Sequence, residues 1–100
     1  MAAADWPQAF EREMGCTEAD WLRWLPPAIG AREWRSEPGL ATVKLDAGEL
    51  HLAWRAGEPR TISLVRLPRL HVSFRFEGVA APERRAFMER FDLYLQRGGG

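Results

Sequence analysis

Polar and apolar residues alternate one by one through the middle of this chain. Four runs carry the pattern: Ala41-Thr42-Val43-Lys44-Leu45, Leu50-His51-Leu52-Ala53-Trp54-Arg55, Thr61-Ile62-Ser63-Leu64-Val65 and Leu70-His71-Val72-Ser73-Phe74-Arg75-Phe76. A period of two is that of a half-buried strand. Turn-forming residues separate the runs at Ala47-Gly48, Gly57-Glu58-Pro59 and Leu67-Pro68-Arg69. A shorter strand around Glu33-Trp34-Arg35 precedes them, hinged at Pro38-Gly39. Tight loops at the three turns pair Val43 with Leu52, Leu52 with Leu64 and Leu64 with Val72. The apolar residues of all four runs then share one face, which predicts an antiparallel meander buried on one side.

The flanks have a helical period. Trp6, Phe10 and Met14 recur at every fourth residue, Pro7 suits a first helical turn, and Gly15 a stop. Thr17 is the expected N-cap of a second short helix, with Glu18 and Asp20 in its first turn and Trp21, Leu22, Trp24 and Leu25 as its apolar residues. Pro26-Pro27 is expected to end it, because proline disfavours helical geometry in the residue before it. At the other end Pro82 opens a helix with a stripe of Phe87, Phe91, Tyr94 and Leu95, stopped at Gly98. The fold class is α+β: two short N-terminal helices, a four- or five-stranded antiparallel meander, and a C-terminal helix packed on the apolar sheet face. Residues 1–97 form one domain and 98–100 a flexible glycine tail.

Composition adds boundaries to this picture. At 100 residues, 46% hydrophobic and 28% charged, the chain has the make-up of a single globular domain. No apolar run approaches the roughly 18 residues of a membrane span, and the N-terminus lacks a signal-peptide pattern, so a soluble, cytoplasmic protein is expected with no membrane partner. One cysteine, Cys16, excludes an intrachain disulfide. The net charge is zero, yet the charges are segregated: residues 1–50 hold five basic and nine acidic side chains, residues 51–100 nine basic and five acidic. No acid lies between Glu58 and Glu77.

The register places the basic residues of the second half on the open sheet face. Lys44, His51, Arg55, His71 and Arg75 there surround Thr42, Ala53, Ser63 and Ser73, with no carboxylate on the four main strands. That constellation is a candidate anion site for phosphate, nucleic acid or an acidic partner. Nucleic acid is disfavoured, because Trp54, Phe74 and Phe76 point to the buried face and leave no stacking platform. The same register sets His51 and His71 two strands, or about 10 Å, apart. With no third ligand and no CxxC or HExxH pattern, no metal site is expected, and no cofactor. Cys16 adjoins an expected helix N-terminus, which can lower a thiol pKa, but nucleophilic catalysis would also need a base beside it and a cleft, and it is read as a semi-buried loop residue. Glu11 with Glu13, and Glu18 with Asp20, lie two apart and so on different faces of a helix. No catalytic residues are assigned.

Trp21 and Trp24, three apart on a helix too short to cover two indoles, are the candidate partner-binding residues. The run Leu70–Phe76 is a candidate sheet edge for self-pairing about Ser73. The sequence thus points first to a non-enzymatic protein-interaction module, binding another protein or a second copy through a sheet edge. The alternative is an anion-binding domain using the basic sheet face.

Overall fold

In the computed structural model, which describes residues 6–99, the segment expected as the first helix is a strand, β1 (Ala9–Met14). Spacing of four fits a strand as well as a helix, since four is also two periods of two. What hid the strand is Arg12, which lies on the inward face between Phe10 and Met14. Its guanidinium makes two bonds to the Asp92 carboxylate, at 2.7 and 2.9 Å. It also lies 5.2 Å from the Trp6 ring, 5.9 Å from that of Phe10 and 5.2 Å from that of Phe74. An arginine so held can occupy an inward strand position that an unpaired charge cannot.

Helix α1 (Glu18–Ile29) starts where expected. The Thr17 hydroxyl accepts from the Asp20 backbone N–H, and the Asp20 carboxylate accepts from the Thr17 backbone N–H, a reciprocal capping box. It does not stop at Pro26-Pro27 but runs through both to Gly30, whose N–H donates to the Pro26 carbonyl at 3.0 Å. The prolines remove the N–H groups that would bond to the carbonyls of Leu22 and Arg23. All four residues are exposed, so water can satisfy those carbonyls. Beyond the prolines Ala28 and Ile29 are buried, and their burial favours continuing the helix.

The chain then forms β2 (Trp34–Glu37), β3 (Leu40–Lys44), β4 (Glu49–Ala56), β5 (Arg60–Ile62), β6 (Val65–Leu67), β7 (Leu70–Glu77) and α2 (Ala81–Gly99). Five strands make one antiparallel sheet in the order β1-β7-β4-β3-β2. Val43 pairs with Leu50 and Ala41 with Leu52. That is two residues from the expected register, an even shift that keeps every side chain on its face. The expected third strand of the meander, Thr61–Val65, is not in the sheet. β5 and β6 pair only with each other, and β4 pairs directly with β7: Leu50 with Phe76, Leu52 with Phe74, Trp54 with Val72. These pairs bury aromatic against aliphatic side chains, which Ile62 and Leu64 cannot match.

Two corrections follow. Leu70–Phe76 is not an edge: β7 lies between β1 and β4, which closes off self-pairing about Ser73, and the edges are β1 and β2. The chain has one N-terminal helix, not two. α1 and α2 pack together on the apolar face, where Trp21, Leu25, Ala28 and Ile29 meet Phe74, Phe76, Phe87, Met88, Phe91 and Leu95 in one core. α2 is helical to Gly99, past the expected stop at Gly98; Gly100 and residues 1–5 lie outside the described residues. The result is one α+β unit with one sheet face covered and the other open. Among the described residues no helix is long and apolar enough to cross a membrane.

Candidate functional site

The segment excluded from the sheet is the longest wholly exposed run among the described residues. Every residue from Glu58 to Leu67 is exposed. Pairing of Arg60 with Leu67 and of Ile62 with Val65 puts these four on one side of the hairpin, with Thr61 and Arg66 on the other. Ile62 is 56% exposed, Val65 56%, Leu67 41%, and Leu64, at the tip, 97%. At the turn Ser63 has φ 56°, a conformation usually left to glycine or asparagine. An isolated two-stranded hairpin is marginal in water, and among the described residues no layer covers either face of this one. Arg60 stands on the same side as Ile62, Val65 and Leu67 and Arg66 on the other, and no carboxylate occurs from residue 59 to 76.

Below the hairpin, Gly57 N–H donates to the Arg69 carbonyl at 2.8 Å, closing its base. Arg69 pairs with Glu13 of β1, and this bond is the main cause holding the Glu13 carboxyl below its usual pKa. The His71 imidazole fills the space over Gly57, where a Cβ would collide with Nε2. His71 is thus occupied in packing at this junction.

The open sheet face carries rows of side chains fixed by the register. One row reads Ala9, Arg75, His51, Thr42, Arg35; the next Glu11, Ser73, Ala53, Leu40, Glu37. Between them runs a trough of about 500 Å³. The helices leave this face uncovered, so Thr42 and Ser73 remain accessible, while Ser63 has moved to the hairpin turn. Of the five candidate anion-site residues, His51 faces Arg75, Arg55 faces His71, and Lys44 faces Glu49. The expected freedom from carboxylates is overturned. Glu49 and Glu77 lie on this face, Glu77 is 3.6 Å from Arg75, and β1 adds Glu11 and Glu13. Glu49 and Glu77 join the face because β4 begins one residue before, and β7 ends one residue after, the runs expected as strands, and the supposed helix supplies an acidic edge strand. His51 and His71 are on adjacent strands, not two apart.

Trp21 does not reach the surface. It is fully buried, its ring centroid 5.7 Å from that of Trp54 and 6.0 Å from that of Phe91. Trp24 is half-buried and lines a cleft of about 390 Å³ with Arg12, Met14, Cys16, Asp92 and Leu95. The indole N–H groups of both lack a hydrogen-bond partner among the described residues. Trp54 is core, as expected, and its Nε1 donates to Glu18 Oε2 at 2.8 Å. Cys16 is buried, and burial, with Asp20 nearby, pushes its thiol pKa up rather than down. The helix N-terminus beside it is already occupied by the Asp20 carboxylate.

Sequence reasoning missed the hairpin as a surface feature. The signal available was the acid-free stretch beginning at residue 59, in which Ile62, Leu64 and Val65 lie between Arg60 and Arg66 and Leu67 follows. No family model and no curated protein sequence matches this chain.

Proposed function

We propose that the protein is a non-enzymatic interaction module whose binding element is the β5–β6 hairpin. Its partner is a protein surface with an apolar pocket rimmed by carboxylates. The observation that carries this reading is the exposure of Ile62, Leu64, Val65 and Leu67 together on a ribbon that contributes nothing to the core. Full burial of such a side chain is worth about 1.5–3 kcal/mol. Ordering the ribbon against a partner therefore recovers energy that the free chain leaves unused. Arg60, on the same side as Ile62, Val65 and Leu67, favours an acidic rim on the partner.

This reading keeps the interaction role expected from the sequence and moves it from Trp21 and Trp24 to the hairpin. The anion-binding alternative retains its cations but has lost the carboxylate-free surround that favoured it.

The test is a domain-fragment display library panned against the full chain, with counter-selection on a Leu64→Asp/Val65→Asp variant. Enriched fragments should bind the wild-type chain, and that variant about a hundredfold more weakly, from two anchors of about 1.4 kcal/mol or more each. Affinity should fall with salt through Arg60. Fragments that bind the variant equally well, or a failure to enrich any, would sink the proposal. So would sedimentation showing the hairpin buried against a second copy.

A further inference from the structure

Placing β7 beside β4 assembles a cluster that the expected register excluded. Glu49 and His51, two apart on β4, share the open face, and Glu77 of β7 lies directly opposite Glu49. His51 Nε2 is 3.3 Å from Glu49 Oε1 and 3.3 Å from Glu77 Oε1. One ligand atom from each of the three residues lies within 4.8 Å of the other two. We propose that Glu49, His51 and Glu77 bind a divalent first-row transition-metal ion of the zinc class, in a three-ligand site open to solvent.

The spacing is the first reason. A tetrahedral ion with ligands at about 2.0–2.1 Å separates their donor atoms by about 3.3–3.4 Å. A good hydrogen bond from an imidazole N–H is nearer to about 2.9 Å, whereas here one ring nitrogen stands 3.3 Å from each of two carboxylate oxygens. Two separations of 3.3 Å match two edges of a coordination tetrahedron, and the third pair of donor atoms lies within 4.8 Å.

Charge is the second reason. Carboxylates directly opposite each other on neighbouring strands repel. Lys44 faces Glu49 across β3, and Arg75 is 3.6 Å from Glu77, so each flanking cation serves one carboxylate. An ion at the centre serves both and takes the imidazole as well. The third reason is rigidity. All three ligands stand on strands, and Gly48 lies so close to the chain at Glu77 and Gly78 that a Cβ would overlap the Glu77 carbonyl oxygen. That contact locks the ends of β4 and β7 together and fixes the spacing of Glu49 and Glu77.

The donor set names the class of ion. One imidazole nitrogen with carboxylate oxygens suits zinc and its neighbours, whereas calcium and magnesium take oxygen ligands throughout. Three protein ligands leave a position for water or for a ligand entering from the trough, which His51 also lines.

Zinc chloride is the probe. The full chain, stripped with a chelator and dialysed into a non-coordinating buffer, is titrated by calorimetry, with circular dichroism confirming the fold of each variant. One zinc ion per chain is expected. His51→Ala and Glu77→Gln should each weaken binding at least about tenfold, while His71→Ala and Cys16→Ser leave it unchanged. A readout without substitution is available because the chain has two histidines. In the wild-type spectrum zinc should shift the imidazole resonances of His51 and leave those of His71 in place. Absence of saturable zinc binding, binding that survives His51→Ala, or a shift confined to His71 would overturn the site.

Discussion

Arg12 shows how one side chain can disguise an element and then hold it in place. Its side chain is 23% exposed, and that of Asp92 30%. The pair is therefore shielded enough for its fork of two hydrogen bonds to count. The guanidinium also lies near the Trp6, Phe10 and Phe74 rings, joining β1 to β7 and α2 through one group. Lysine would keep the charge but lose the fork of two hydrogen bonds to Asp92. Arg12→Lys should cost about 1–2 kcal/mol in urea denaturation, with the slope unchanged. A double-mutant cycle with Asp92→Asn should return a coupling of about 1–2 kcal/mol. Coupling under about 0.5 kcal/mol would mean that Arg12 acts through packing alone. A pattern read only as polar and apolar scores Arg12 as a break, which is why β1 was illegible although Phe10 and Met14 were both in view.

The elements that could be read are those whose local signals and packing agree. Thr17 caps α1, the alternation in β3, β4 and β7 matches their buried residues, and Phe87, Phe91 and Leu95 line the buried face of α2. The hairpin was misread because Thr61–Val65 alternates correctly, and nothing in Ser63-Leu64 marks a tight turn. The choice between it and β7 as the partner of β4 was made by aromatic cross-strand packing, a long-range term that local sequence does not carry. The same exchange created the Glu49–His51–Glu77 cluster, so this candidate site was hidden for the same reason. The turn between β3 and β4 was legible as a turn, but not for what it abuts. At Gly48 a Cβ would overlap backbone atoms of Glu77 and Gly78, which cannot move aside as a flexible side chain would. Gly48→Ala should therefore destabilise the fold by about 2–3 kcal/mol, at the upper end of overpacking costs. The change would appear as a lower urea midpoint, and a wild-type midpoint would show that β4 and β7 do not approach so closely.

At the scale of the molecule, the fold closes without the hairpin. The core draws on the five strands of the main sheet and both helices, and no residue from Glu58 to Leu67 enters it. The β4–β7 ladder continues past Ala56 and Leu70 to the bond from Gly57 N–H to the Arg69 carbonyl. Residues 57 and 69 are thus already placed as the ends of a short hairpin. Replacing the eleven residues 58–68 with Asn-Gly should give a two-residue turn that suits the twist of the flanking strands. Glu13 with Arg69, and His71 over Gly57, lie outside the excised segment and should persist. Shortening the loop relieves closure entropy of up to about 1.5 kcal/mol, at about 0.6 kcal/mol per doubling of length. The excised chain should therefore be as stable as the parent or slightly more so in urea denaturation, with its NMR amide spectrum changed only near residues 55–57 and 69–71. It should also lose the fragments selected by the intact hairpin while still binding zinc, which separates the two proposed surfaces in one variant. A loss of more than about 2 kcal/mol would make the hairpin a buttress of the core and remove the reason for assigning it to a partner.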